Sequence, residues 1–448
     1  MSEPTVPVRR AEIFGWAMFD FANSSYTTVI VTVVYATVFP RLIVGDGPDF
    51  RLGNLWWSAA LSISYGLAAV SVPVLGALMD ASGAKKAFLT ASWLATVVTT
   101  AALWFATPGH VLLAVALIVA SNWAYSVGES FAASFLPDLG PPESLGRISG
   151  VAWGLGYFGG LVSTSLVLLL GEQTLENFAR LRFIGPVTAG FFFLAALPTF
   201  ALLRDRGPRR PLSLASAGEA LGRLAQTART LAHYRDLLVF FGGLLFAMAG
   251  LSIVVSFAFI YGDQVIRWSP GTRTAMFVIT QFTAAIGAAA FGWLQGRMGD
   301  KRTYLLTLAV WVLAVGLIWG TPTLSRWLTA VGVPVGAEQV FLGVGCVAGV
   351  CLGATQSAGR TMVALFSPPD KVGEFFGLWG LFGKVAAIFG LMSLGVLQTW
   401  LGLQLSILVC GLFFAAAFAI TWFVDEERGK AVAAGPAPAA VGASVAAP

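Results

Sequence analysis

Gly76-Ala-Leu-Met-Asp80-Ala-Ser-Gly83-Ala-Lys85-Lys86 and Gly292-Trp-Leu-Gln-Gly296-Arg-Met-Gly299-Asp-Lys301-Arg302 are two versions of one phrase. Each reads G-x-L-x-x-x-x-G and then a basic pair, and each closes a long apolar run. A second phrase is also written twice. Pro141-Pro142-Glu143-Ser-Leu-Gly146-Arg147-Ile-Ser-Gly150 returns as Pro368-Pro369-Asp370-Lys-Val-Gly373-Glu-Phe-Phe-Gly377, both P-P-acid-x-x-G-x-x-x-G. Two matches at corresponding places in the two halves of a chain mark an internal repeat.

The surroundings of the phrases say what is repeated. Of the 448 residues 57% are hydrophobic and only 11% charged, where a soluble domain carries about 25% charged residues. A soluble fold would leave that apolar surface in water; contact with lipid removes the contradiction. A spanning helix needs about 20 apolar residues at about 1.5 Å each. Twelve runs qualify: 13–43, 54–79, 86–107, 110–136, 147–171, 182–203, 237–262, 273–296, 303–321, 336–366, 373–399 and 402–424. The first is too long for a signal-peptide core and is read as a spanning helix. The expected fold is all-α, with twelve transmembrane helices in two pseudo-symmetric six-helix bundles: 1–203 and 237–424. A linker, 204–236, carries apolar residues at helical spacing and is expected to hold an amphipathic helix, and a tail, 425–448, is expected to be disordered.

Basic residues set the orientation. With the N-terminus inside, the cytoplasmic side collects Arg9, Arg10, Lys85, Lys86, Arg147, Arg297, Lys301, Arg302, Lys371, Arg428, Lys430 and the Arg-rich linker, and the other side receives fewer. Both termini are therefore expected in the cytoplasm of a multi-pass protein, in a bacterial cytoplasmic (inner) membrane. The net charge of +5 reflects this topology, and no nucleic-acid partner is expected. Cys346, Cys351 and Cys410 lie in apolar runs without a paired framework, and His110 and His233 fall in connections. Neither a metal nor another cofactor is expected.

The glycines have a physical use. Gly146, Gly150 and Gly154 recur every four residues, which lets a neighbouring helix approach closely. The Gly76–Lys86 phrase resembles the signature loop between helices 2 and 3 of the major facilitator superfamily. More narrowly, Gly15-Trp16-Ala-Met-Phe-Asp20-Phe-Ala-Asn23-Ser24-Ser25-Tyr26 resembles the opening of the UMF1 family, relatives of the yeast vacuolar amino-acid effluxer of autophagy. Leu136-Pro137-Asp138, Ser149-Gly150-Val-Ala-Trp153-Gly154-Leu-Gly156-Tyr157, Gln356-Ser357-Ala-Gly-Arg360 and Glu374-Phe375-Phe376-Gly377-Leu378 resemble it too. The resemblance covers almost the whole chain except the tail. It departs at Gly296, where the superfamily phrase has Asp, and around Ala247–Gly250, which lacks a polar pair. It implies the major facilitator fold, a small-molecule substrate of amino-acid type, and an Asp80 carboxylate near the start of helix 11.

A charge at membrane depth costs about 2.5–3.5 kcal/mol on insertion scales, so intramembrane ionisable residues are candidates for function. Asp20 and Asn23, with Thr27, fall on one face of helix 1. Glu129 lies about two turns from the end of helix 4, with Asn122 on a similar face. Gln356 and Arg360 stand one turn apart on helix 10, and Lys384 falls within helix 11. Arg and Lys there suit an anionic group, and the carboxylates suit proton coupling or pairing to the cations of the other half. Gly76, Asp80, Gly83, Lys85, Lys86, Gly146, Arg147, Gly150, Gly373 and Gly377 are read as gating or structural positions. Trp56, Trp57, Trp93, Trp104 and Trp319 are read as interface anchors or packing. The function expected is secondary active transport of a small polar solute by alternating access, with protons as a further partner beside the lipid bilayer. A non-transporting scaffold or binding protein is the alternative. An enzyme is not expected: no G-x-S-x-G, H-E-x-x-H or phosphate-binding G-x-x-x-x-G-K-[ST] occurs.

Overall fold

A computed structural model describes residues 8–45, 51–206, 218–219, 222 and 234–435. Most of the linker, where the amphipathic helix was expected, lies outside the described residues. Those described form helices and turns with no strand among them. Twelve helices are long and apolar enough to cross a membrane: α1 Arg10–Val44, α2 Leu52–Ser82, α3 Lys85–Phe105, α4 Val111–Leu139, α5 Pro142–Leu168, α6 Phe178–Leu202, α7 Arg235–Ile266, α8 Gly271–Met298, α9 Asp300–Ala330, α10 Ala337–Phe366, α11 Val372–Gln398 and α12 Trp400–Trp422. Large apolar side chains such as Val70, Leu112, Leu169, Leu194 and Leu412 are exposed on the outside, as lipid contact requires.

The duplicated phrases are helix punctuation. Gly83 and Gly299 take φ of +63° and +88°, and their N–H groups bond the carbonyls of Met79 and Gln295. Each glycine thus ends a helix in a backbone conformation that a side chain disfavours. Pro141 is extended and Pro142 opens α5, where its missing N–H costs nothing.

The packing repeats with the sequence. α1 packs on α5 and α6, α2 on α4, and α3 on α4 and α6. In the second half α7 packs on α11 and α12, α8 on α10, and α9 on α10 and α12. Between halves, α2 lies along α11 while α5 lies along α8 and α10. The end of the molecule that carries Lys85 and Lys301 is called the basic end below.

Two expectations need correction. Helix 1 is not a uniform α-helix: it is α-helical over Arg10–Ser25, then π-helical over Tyr26–Val33 and Phe39–Val44 around a short α turn, Tyr35–Val38. The 3.6-residue register that joins Thr27 to Asp20 and Asn23 therefore lapses at Tyr26. The tail is not without structure from 425 onwards. Glu426–Ala434 forms a helix, α13, capped by the Asp425 side chain. Local composition gave no apolar periodicity there; partners on α7, α9 and α10 hold it. Asp236 on α7 binds Arg428 through both carboxylate oxygens (2.7 and 2.8 Å). Glu426 accepts the N–H of Lys301 at the start of α9 (3.0 Å), and Gly429 packs on the Phe366 ring of α10. The first half has a similar clasp: Glu12 pairs with Arg206 (2.7 Å) and Asp205 accepts the N–H of Lys86 (2.8 Å).

Candidate functional site between the halves

At the basic end the first phrase of each half packs on the second phrase of the other. A Cβ on Gly76 would stand 2.2 Å from the Gly373 carbonyl oxygen, and one on Gly292 would stand 2.5 Å from that of Gly146. Gly150 and Gly377 are as close to Ala288 and Pro73. Only glycine permits these approaches. Asp80 then reaches across the α2/α11 seam and accepts the N–H groups of Gly373 and Glu374, both at 3.0 Å. α11 begins at Val372, so both donors belong to its first turn and have no partner within the helix. The corresponding seam, α5/α8, has Gly296 in place of that acid. Because α5 already begins at Pro142, Gly146 and Arg147 lie past its first turn and offer no such donors. The Gln295 side chain packs on Gly146 instead and donates to Asp300 (3.1 Å).

Lys85 and Lys86 stay within their own half. Lys85 donates to Asp138 (2.8 Å) and to the Ser134 carbonyl, and Lys86 donates to the Leu203 carbonyl (2.9 Å). The basic pair thus serves helix ends beside the Asp80 contact and does not bridge the halves. Arg147 is exposed.

Deeper in, two ion pairs among the described residues cross between the halves. Arg360 on α10 donates to Asp20 on α1 (2.7 Å). Its other nitrogens donate to the hydroxyl and carbonyl of Ser149 on α5, each at 3.1 Å. Its guanidinium carbon lies 4.7 Å from the Trp16 ring centre and 5.3 Å from that of Trp153. Donors and aromatic faces are matched to a planar cation, as arginine requires. Lys384 on α11 lies 3.7 Å from Glu129 on α4, and its ammonium is 4.9 Å from the Tyr65 ring centre on α2. The two pairs differ in access. The Arg360 and Asp20 side chains are 4% and 15% exposed, those of Lys384 and Glu129 19% and 28%.

The other candidates frame these pairs. Asn122 donates to Ser64 across α4 and α2 (2.6 Å), Asn23 is buried on α1, and Gln356 is half-buried one turn from Arg360. Sequence reading missed Ser149, Trp16, Trp153, Tyr65 and Gln295. Ser149, Trp16 and Trp153 stood inside the stretches that carry the family resemblance, so a signal existed. Gln295 stood inside a repeated phrase, and Tyr65 had no signal. Of the tryptophans read as packing, Trp93 is buried and stacks on Phe193 and Phe200.

At the basic end, outside the spans, α13 carries a charge network. Burial pushes the Glu426 carboxyl up, but the Lys430 ammonium and the N–H groups of Lys301 and Asp300 outweigh it and hold the group below the usual carboxylate range. Its hydrogen bonds to Asp236 raise Arg428 above its ordinary value. Lys430 also reaches Asp300 (3.4 Å), the residue that holds Gln295.

This architecture has known relatives. Residues 58–434 match the family described as "Vacuole effluxer Atg22 like". The chain belongs to that family. An uncharacterised MFS-type transporter of Bacillus subtilis, YxiO, is 25% identical over 92% of this chain and 94% of its own length. Autophagy-related protein 22-1 of Emericella nidulans is 23% identical over 63% of this chain; the match spans about half of that protein (50%). Among solved structures, the human organic anion transporter MFSD10 superposes with a TM-score of 0.69 at 18% identity, covering 94% of this chain and all of that one (100%). The proton:xylose symporter XylE gives 0.70 at 13% identity, over 94% of this chain and 97% of that one. The fold is that of the major facilitator superfamily, and the protein is an integral, multi-pass membrane transporter.

Proposed function

We propose that this transporter moves a small zwitterionic solute of amino-acid type by alternating access of residues 1–203 and 237–424, coupled to protons. The excess of Lys and Arg supports a cytoplasmic basic end, in a bacterial cytoplasmic membrane. The observation that carries the reading is the pair of ion pairs crossing between halves at membrane depth. Each places a carboxylate of the first half against a cation of the second. When the halves part at the basic end, both carboxylates lose their cations. A carboxylate released from its cation can exchange a proton with the water that enters there, so proton occupancy follows conformation. Asp80 and the glycine contacts hold the basic end closed in the arrangement described. The relatives' description as effluxers and transporters supports this reading over a scaffold, which has little use for ion pairs that a change of state must break.

The test uses purified protein in vesicles with an imposed pH gradient and a panel of amino acids. Glu129→Gln and, separately, Asp20→Asn are expected to retain some solute exchange and to lose pH-driven accumulation. Unchanged pH dependence in both variants would make these acids static pairs and end the coupling proposal. Absence of solute flux in the parent protein would end the transport reading.

A further inference from the structure

The two ion pairs occupy different symmetry positions, and this points to a second polar subsite. The register that aligns Pro141 with Pro368 maps Glu129 onto Gln356 and Lys384 onto Tyr157. Glu129 and Lys384 face each other from α4 and α11. Their images, Gln356 and Tyr157, stand on α10 and α5, the helices joined by the Ser149–Arg360 bonds. Going away from the basic end, α5 presents Ser149, Trp153 and Tyr157 at successive turns, and α10 presents Arg360 and then Gln356. Trp153 lies against the Arg360 guanidinium, so Tyr157 and Gln356 are each one turn beyond that contact. The Tyr157 hydroxyl and the Trp153 indole N–H are buried without a hydrogen-bond partner among the described residues. A buried polar group left so is costly, and each such group calls for a partner, an ordered water or a bound ligand among them.

We propose that Tyr157, Trp153 and Gln356 form a neutral hydrogen-bonding subsite, the symmetry image of a charged subsite made by Glu129, Lys384 and Tyr65. The ligand is an α-amino acid with an uncharged polar side chain. This rests on the transport reading above and deepens it. Lys384 takes the carboxylate, and Glu129, no longer neutralised by Lys384, takes the ammonium. The charged pair suits this exchange because it is loose, 3.7 Å apart, and more open than Asp20–Arg360. It also lies where the α2/α11 seam parts: Gly373, Gly377 and Gly380 all press on α2 or α4, whereas a Cβ on Gly383 would meet nothing within 4 Å. The side-chain amide or hydroxyl extends to the neutral subsite, where phenol, indole and carboxamide supply both donors and an acceptor.

The experiment measures affinity by ligand-induced melting shifts of the purified full-length chain. The probes are L-glutamine, L-leucine, glutamine lacking its amine, and glutamine with its carboxylate capped as an amide. The parent is expected to bind glutamine and to reject both truncated analogues. Tyr157→Phe and Gln356→Leu are each expected to lose about tenfold more affinity for glutamine than for leucine. Melting without ligand checks that each variant is folded. Equal losses for glutamine and leucine would overturn the neutral subsite. Binding of either truncated analogue as tightly as glutamine would overturn the charged one. Vesicle flux of other solutes with no binding of any zwitterion would overturn the ligand class while leaving transport intact; no flux at all would remove the transport reading and this inference with it.

Discussion

The two seams between the halves use the same glycine phrases and are closed in different ways. At α2/α11 the Asp80 carboxylate caps the first turn of α11, and the ion pair behind it, Glu129–Lys384, is loose. At α5/α8/α10 the position of that acid is held by Gly296, and the ion pair behind, Asp20–Arg360, is tight, wrapped by Ser149 and flanked by Trp16 and Trp153. The point at which each helix starts decides much of this, since both phrases carry Pro-Pro but one helix begins at Pro142 and the other only at Val372. With α5 starting at Pro142, four residues ahead of Gly146, a cap at position 296 has no free donors, and the acid is absent there. Each seam therefore has one strong element, placed at a different depth. The strong element at α2/α11 sits at the rim, and its inner pair is the looser of the two.

The comparison is broken most severely at Arg360. Arg360→Met leaves Asp20 without its cation in a site that is mostly dry, a change that costs about 3–5 kcal/mol for a buried pair. Lys384→Met exposes Glu129 in a partly open site and is expected to cost about 0–1 kcal/mol, the range of accessible pairs. Melting of the two purified variants checks the ordering. Equal melting temperatures would show that the pairs are energetically alike and that the difference in exposure has no consequence.

Asp80→Asn tests the rim. Asparagine keeps one acceptor oxygen and loses the charge that faces the helix dipole, an effect of about 1–2 kcal/mol on the closed seam. The population open at the basic end should then rise about tenfold, read as labelling of a cysteine placed beside Gly373. The twin change, Gly296→Asp, should not tighten the other seam, since no orphan N–H awaits it. Reduced labelling beside Gly146 in that variant would contradict the account of the missing acid.

The fold was legible because lipid imposes it. Twelve apolar runs and two repeated phrases leave few arrangements, and the spacing of Gly146, Gly150 and Gly154 pointed to a close helix approach without naming the partner. The charged candidates were legible for the same reason: a charge inside a run stands out. What surrounds them was not. Ser149 binds Arg360 as much through its backbone carbonyl as through its hydroxyl, and no sequence pattern shows which carbonyl a distant guanidinium will find. Tyr65 looks like any aromatic residue on an apolar helix. The tail helix is a tertiary product: its residues carry no periodicity, and it forms because Asp236, Lys301 and Phe366 are where they are.

That helix supplies the smallest expected effect and sharpens the comparison, because its contacts lead to one seam. Lys430 binds Asp300, Asp300 binds Gln295, and Gln295 packs on Gly146 at the α5/α8 seam. Docking of α13 depends on Glu426, whose carboxyl is held below its usual range. A depressed acid stabilises the docked state above its ordinary value, about 4.3, and that contribution is lost as pH falls through the lower, docked value. Lys430, raised above its ordinary value, adds stability that is complete at neutral pH and fades only as pH rises through the raised value. Docking is thus full at neutral pH and weakens on acidification. A spin label at Ala434 should report an immobile helix at pH 7 and gain mobility below about pH 4, the ordinary range of a glutamate. Glu426→Gln should already be mobile at pH 7, and cysteine labelling beside Gly146 should rise with it while labelling beside Gly373 stays constant. If both sites respond alike, the tail acts on the closed state as a whole and the two seams are not separately supported.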